Sequence, residues 1–335
     1  MEELYELEEE LEEVKEEEIT SKKVISWVFN NTKFLLLPAS RLEELSNREF
    51  VYERVKGKRK ILRRFKSVLT ILGIVIVFFI ITLAVFGHWI ANQPFELALH
   101  TQPGAWGSPS SAHPLGQTVL GYDVLARLIY GARTSLTVAL PAISLSVFGG
   151  IIFGTLAAFY RGWVDSLIMR IADVFLAFPG LILALVIIAI TGQRRIEHIM
   201  LVYGFLGIPF YARLIRGNVL QARELPYVQA AKVAGAGNGR IMFRHILPNC
   251  IQPIIISFTF NIGTMILSLA ALSFLGFSDP TIIEWGNDIN NARGHLYNAP
   301  WASLWPGLMI LITVLGFMLI GDALRDALDP RLKNL

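Results

Sequence analysis

The residue types that most often carry chemistry occur in this sequence without the spacing that catalysis or metal binding requires. The six histidines are scattered, and neither an H-E-x-x-H pair nor a G-x-S-x-G nucleophile turn occurs. Gly57-Lys58 is followed by Arg59 and lacks the upstream glycine of a phosphate-binding loop. The single cysteine, Cys250, excludes a disulfide within the chain and a zinc cluster built on cysteines. We therefore expect no catalytic residue, no metal ion and no cofactor in this chain.

One short segment, residues 224–248 (ELPYVQAAKVAGAGNGRIMFRHILP), has a pattern that suits the docking of another protein. Pro226 fits the first turn of a helix, where a missing N–H costs nothing. Gly235 and Gly237 can end that helix in left-handed backbone geometry. Such a helix has about nine residues and a length of about 13 Å, which is too short to cross a membrane.

The small side chains of this helix would allow a partner to approach its backbone. Tyr227 lies three and four residues before Ala230 and Ala231, so the three side chains are expected on one face. Pro248 is expected to break the chain before the next apolar run. From the residues alone, a plain connecting loop remains the alternative interpretation.

The elements that would position this segment are predicted to lie in a membrane. Of 335 residues, 53% are hydrophobic and 17% charged, and the mean hydropathy is +0.51; soluble domains carry about 25% charged residues. Residues 1–18 hold eleven Glu and one Lys, which leaves 29 basic and 16 acidic residues, a balance of +13, in the remainder. Because these basic residues border apolar stretches, they favour contact with anionic headgroups over binding of nucleic acid.

Six segments are long and apolar enough to cross the bilayer. Their interiors hold no Asp, Glu, Lys or Arg, which disfavours a proton-coupled carrier, since such carriers use an acid within the membrane. Lys and Arg near the segments follow the positive-inside rule when both chain termini are cytoplasmic. The predicted spans are residues 68–91, 136–159, 171–191, 198–216, 250–276 and 303–323.

Two further patterns within the spans leave alternatives open. Gly150 and Gly154 form a G-x-x-x-G that permits close helix packing, either within this chain or against a second membrane subunit. Trp285, Trp301 and Trp305 cluster at an outer boundary, which is typical of an interfacial aromatic belt and also allows contact with a substrate.

The pattern of residues 229–248 resembles the signature of ABC importer permeases: Glu-Ala-Ala, three residues, Gly, nine residues, then an end closing in Leu-Pro. The matching positions are Gln229, Ala230, Ala231, Gly235, Leu247 and Pro248. Four more blocks, such as GWVDSLIMRIADVFLAFPGLILAL and LSFLGFSDPTIIEWGNDINNAR, extend the resemblance over most of residues 60–335. The chain is identified as similar to the second permease of dipeptide and oligopeptide importers.

The resemblance implies an all-α membrane protein with the type I ABC importer permease fold, about six transmembrane helices, and a place in the prokaryotic cell membrane. Residues 224–237 would be the coupling helix, with Tyr227 among its contacts to the ATPase. Gln229 departs from the usual Glu, so any ion pair that this Glu makes with the ATPase would be lost. Residues 56–335 would form the permease domain, and residues 1–55 a cytoplasmic extension.

The implied partners are a homologous first permease, two ATPase subunits that bind ATP and Mg²⁺, and an extracytoplasmic binding protein. Peptides are the expected substrates, with oligosaccharides or nickel chelates as alternatives. A secondary transporter that works alone is the alternative from another class. A membrane enzyme is disfavoured because the sequence contains no recognisable set of catalytic residues.

Overall fold

The computed structural model describes residues 67–328, and these residues are almost entirely helical. The predictions for the acidic residues 1–18, the extension 1–55 and the basic residues before the first span concern residues outside this range. Among the described residues, only an isolated bridge between Gln117 and Asp123 has strand-like pairing. The helices are α1 (Val68–Ile90), α2 (Phe95–Leu99), α3 (Val124–Tyr160), α4 (Gly162–Leu176), α5 (Gly180–Thr191), α6 (Ile196–Arg223), α7 (Pro226–Val233), α8 (Asn238–Arg240), α9 (Leu247–Phe274), α10 (Trp285–Ala292) and α11 (Trp301–Leu328). A π-helical segment, Ile241–Ile246, joins α8 to α9, and a 3-10 turn, Arg293–His295, follows α10.

Five predicted spans are confirmed as helices that are long and apolar enough to cross a membrane. They correspond to α1, α3, α6, the continuous helical stretch Asn238–Phe274, and α11. At 37 residues, α3 is about 55 Å long and extends well beyond an apolar layer of about 30 Å. Its extra length lies before the predicted span 136–159, where Asp123 caps the helix by accepting a hydrogen bond from the Ala126 N–H at 2.8 Å.

The third predicted span, residues 171–191, is not one continuous helix. The chain bends by 86° between α4 and α5, so this pair is a broken span or a re-entrant loop. Pro179 stands immediately before α5. It has no N–H to continue the first helix, and it disfavours helical geometry at Phe178. The bend is therefore explained by Pro179, which a prediction from apolar length alone does not take into account.

Helices α3 and α6 pack closely against each other at two glycines. A Cβ added to Gly150 would lie 2.3 Å from the Cβ of Tyr211, and one added to Gly154 would lie 2.4 Å from the carbonyl oxygen of Ala212. Both glycines therefore face α6 of the same chain, so of the two alternatives the structure places them in packing within this chain. No larger residue fits at either position without separating the two helices.

The N-terminal ends of α3 and α11 are covered by a folded layer of loops that includes α10. We call it the folded loop layer. Trp285 of α10 is fully buried, and its indole N–H donates to the carbonyl of Leu128 at 3.1 Å. A Cβ at Gly131 would lie 2.5 Å from the indole nitrogen, so only glycine admits this ring. For Trp285, the expectation of an aromatic belt or a substrate contact is therefore wrong, because its side chain belongs to the core.

Candidate coupling segment

The segment between α6 and α9, residues 224–248 and called here the coupling segment, lies at the same end of the bundle as both ends of the described chain. The Gln252 amide of α9 donates to the carbonyl of Leu328, the last described residue. Gly73, near the start of α1, packs against Leu319 of α11, and Gly321 packs against Phe260. The start of α1, the end of α11 and the coupling segment therefore face the same side of the membrane.

Helix α7 is an eight-residue helix, about 12 Å long, that begins at Pro226 as the sequence predicts. Its end is a Schellman motif: the Ala236 N–H donates to the Ala231 carbonyl at 3.0 Å, and the Gly235 N–H donates to the Lys232 carbonyl at 3.0 Å. Gly235 takes the left-handed position with φ of +77°, as predicted. The same prediction for Gly237 is wrong, because its φ is −64° and it instead precedes α8.

Val228 anchors α7 to the body of the protein, and sequence reasoning missed it. Its side chain is fully buried in a cluster that includes Val219 of α6, Ile241 and Ile246 of the π-helical segment, and Ile254 of α9. One buried residue in a helix of two turns leaves too short a pattern to read from sequence. Because the cluster joins α6, α7 and α9, α7 is packed directly onto two membrane-crossing helices.

The exposed face of α7 differs from the predicted one at one position. Tyr227 is 39% exposed and Ala230 is exposed, as a docking face requires. Ala231 is half-buried, since it lies three residues after Val228 and packs against the same cluster. Val233 is 91% exposed and was not singled out from the sequence, although an exposed valine beside small residues is the available signal.

Gln229 lies on the exposed surface of α7. Its side-chain amide donates to the carbonyl of Arg223 at 3.4 Å, a long hydrogen bond that holds the amide against the end of α6. The neutral side chain thus leaves the surface of α7 without the carboxylate that the resemblance would place there.

Pro248 does not break the chain before α9, which corrects the sequence prediction. Helical structure runs from Asn238 to Phe274, with half-buried Leu247 and exposed Pro248 in the first turn of α9. In a regular helix the proline ring would clash with the carbonyl of Arg244, four residues earlier. The π-helical turn Ile241–Ile246 widens the helix at that point and removes the clash.

Ion pairs tie α4 to the end of α6 beside the coupling segment. The guanidinium of Arg216 donates to both carboxylate oxygens of Asp165, at 2.5 and 2.6 Å, and Arg213 pairs with Asp173. These bidentate and paired contacts fix the direction in which the bent α4–α5 unit leaves α6.

A cleft of about 370 Å³ opens beside α7. We call it the basic cleft; it is lined by the small residues Ala231, Ala234, Gly235 and Ala236 and by the basic residues Arg240, Arg244 and His245. Within residues 67–328, no group of three or more His, Cys, Asp or Glu side chains could hold a metal ion.

Comparison with known proteins agrees with this arrangement. A family model described as "Binding-protein-dependent transport system inner membrane component" matches residues 150–334. The dipeptide transport system permease protein DppC of Alkalihalophilus pseudofirmus is 40% identical over 271 residues, which cover 80% of this chain and 88% of that protein. The glutathione transport system permease protein GsiD of Pectobacterium atrosepticum is 43% identical over 227 residues, which cover 68% and 75%.

The fold also matches a solved structure. A chain of the MetNI methionine ABC transporter, in inward-facing conformations, superposes with a TM-score of 0.51 at 19% identity. The match covers 61% of this chain and 97% of the solved one, so nearly the whole solved chain has its counterpart here.

Proposed function

This chain belongs to the family of binding-protein-dependent transport system inner membrane components, and we propose that it is one of two permeases that together carry small peptides across the prokaryotic cell membrane. The observation that carries the proposal is the geometry of α7. Its exposed face, with Tyr227, Ala230 and Val233, is bare enough for a partner to reach the backbone, while Val228 ties it to α6 and α9.

Under this proposal the free energy for transport enters from outside the chain. ATP and Mg²⁺ are bound by partner ATPase subunits, and the chain itself needs no cofactor. The permease can shift between inward-open and outward-open states only as far as its partners bind the two states differently. The anchored α7 supports this role, because movement of a docked ATPase acts on two membrane-crossing helices at once.

The remaining partners follow from the family. The path is completed by a homologous first permease, and an extracytoplasmic binding protein delivers the substrate. The side that carries α7 is cytoplasmic, which also places the described ends of the chain at the cytoplasmic surface.

Small peptides are the proposed substrates because two relatives are named for them. Dipeptides and glutathione share a short backbone with free charged ends. Mass spectrometry of the ligand that co-purifies with the binding protein tests this choice. A peptide is the expected result, whereas an oligosaccharide or a nickel chelate would overturn the substrate class and leave the permease role intact.

Replacing Ala230 with Arg tests the coupling role. Ala230 is exposed, so the larger side chain blocks docking without disturbing the packing of the chain. The same change at half-buried Ala231 would disturb that packing. We expect ATP-driven peptide uptake in proteoliposomes to fall by at least about tenfold, the equivalent of about 1.4 kcal/mol of lost docking. The matched control is Gln221→Arg, which adds the same side chain to the exposed surface of α6.

Normal uptake by the Ala230→Arg protein, inserted at wild-type levels, would contradict the proposal. So would uptake by the two permeases alone when an ion gradient replaces the ATPases, because that result identifies a secondary transporter.

A further inference from the structure

Apart from Glu224, which pairs with Arg161, the coupling segment carries positive charge without a balancing carboxylate. Residues 225–249 contain Lys232, Arg240, Arg244 and His245 and no Asp or Glu. Gln229 stands where the signature of ABC importer permeases has Glu, so this negative charge is also missing from the surface of α7.

Nearby arginines are paired within the chain, whereas those of the basic cleft are not. Arg161 contacts Glu224 at 3.1 Å, and Arg213 and Arg216 have the carboxylates of α4. Across residues 67–328, neither Arg240 nor Arg244 has a carboxylate within ion-pair distance. The chain thus neutralises the arginines that hold the bundle together and leaves two in the cleft available.

The shape of the cleft suits an inserted side chain from another protein. One part of its wall consists of Ala231, Ala234 and Gly235, which leave room beside the two guanidinium groups. A guanidinium presents its N–H groups as a fork that matches both oxygens of a carboxylate. The same segment also exposes the apolar side chains of Phe243, at 69%, and Val233, at 91%, and a protein interface typically combines apolar and arginine surface.

We propose that the basic cleft binds acidic side chains of the ATPase subunit, so that Asp or Glu residues line the part of the ATPase groove that meets Arg240 and Arg244. The inference rests on the proposed function and goes beyond it by fixing the charge of the partner surface. In this chain, ion pairs from the cleft replace the ion pair that Gln229 cannot make.

Charge reversal in the cleft is the first test. The permease pair carrying the double variant Arg240→Glu/Arg244→Glu is placed in nanodiscs. The ATPase is then titrated onto it to form the four-subunit complex, and the affinity is measured. We expect affinity to fall at least about tenfold near 0.15 M salt, with a smaller difference near 1 M salt, where screening is effective within about 3 Å. The matched control is Arg170→Glu, which reverses another exposed arginine at the same end of the bundle and outside the cleft.

The outcomes separate this inference from the proposed function. If Ala230→Arg abolishes coupling while the double reversal binds ATPase normally, the coupling role stands and the acidic partner surface is refuted. If Arg170→Glu weakens binding as much as the double variant, the effect is general electrostatics and the inference is also refuted. If the double variant binds ATPase normally but its transport no longer depends on anionic lipid, the cleft binds lipid headgroups and the inference is refuted.

A zero-length cross-link identifies the acids directly. Arg240→Lys and Arg244→Lys keep the charge and supply an amine that a carbodiimide joins to a carboxylate in contact. We expect each variant, assembled with its partners, to form a new cross-link to an Asp or Glu of the ATPase. Assembled variants that give no ATPase cross-link beyond those of the wild-type protein would overturn the proposal.

Discussion

Two glycines of the coupling segment show how single residues decide its shape. Gly235 and Gly237 are both exposed, and a Cβ at either would meet nothing within 4 Å. They differ only in backbone geometry, since φ is +77° at Gly235 and −64° at Gly237. Left-handed geometry costs an L-residue about 1–2 kcal/mol, so only Gly235 is required by conformation.

We predict that Gly235→Ala loosens the end of α7 and that Gly237→Ala does not. The strain of about 1–2 kcal/mol should speed hydrogen exchange of the α7 amides by about 5- to 30-fold, because the Schellman hydrogen bonds open more often. Hydrogen exchange with mass spectrometry over residues 226–236 measures the effect. Equal exchange in the two variants would show that the left-handed turn does not hold the helix end.

At this scale the sequence predicts local chemistry well. Pro226 and Gly235 occupy the expected positions because their backbone preferences act within a few residues. Gly237 could not be told from Gly235, since either could follow the last helical turn. The burial of Val228 could not be predicted, because it depends on α6 and α9 meeting beneath α7.

Among the elements, α10 is held against α3 by a buried ion pair. Arg127 of α3 and Asp288 of α10 approach to 2.7 Å, and their side chains are 4% and 3% exposed. Burial raises the pKa of the Asp288 carboxyl, and the guanidinium of Arg127 opposes that rise. Removing Arg127 therefore leaves a buried carboxylate that must either lose its charge or remain unpaired.

We predict that Arg127→Met destabilises the protein strongly, by about 3–5 kcal/mol, as expected for breaking one side of a buried pair. The matched control, Arg161→Met, breaks an exposed pair with Glu224 and should cost at most about 1 kcal/mol. Thermal unfolding in detergent compares the two variants.

The stability lost in Arg127→Met should depend on pH in one direction. A carboxyl whose pKa is raised on folding favours the folded state in acid and loses that contribution as the pH rises. The deficit of Arg127→Met should thus be larger at neutral pH than in mild acid. Similar losses for the two arginine variants at neutral pH would contradict the account of the buried pair.

The elements themselves were predictable to different degrees. Length and apolar character predict the five spans that are unbroken helices, because the bilayer imposes one length on all of them. The bend before α5 escapes that reasoning, although Pro179 is its visible cause. The burial of α10 was not predictable, since residues 285–292 are mostly polar and their place inside depends on distant partners such as Arg127 and Gly131 of α3 and Ala270 of α9.

At the scale of the whole molecule, the arrangement predicts a subunit whose conformational changes are driven by its partner subunits. The spans bring α7, the start of α1 and the end of α11 to one side, and the folded loop layer with α10 covers the other. Under the proposed function the first side is cytoplasmic, as Lys and Arg near the spans also predict. The proposed function therefore predicts contact with the ATPase at Ala230 and none at Tyr297, which is 98% exposed in the loop before α11.

Site-directed photo-cross-linking measures this placement most directly. In a Cys250→Ala background, which removes the single buried thiol, Ala230→Cys and Tyr297→Cys are each labelled with benzophenone maleimide in the assembled transporter. We predict that the label at position 230 attaches to the ATPase subunit and that the label at position 297 does not. An ATPase adduct from position 297, or adducts from position 230 that contain only lipid, would contradict the central claim that the ATPase drives this permease through α7.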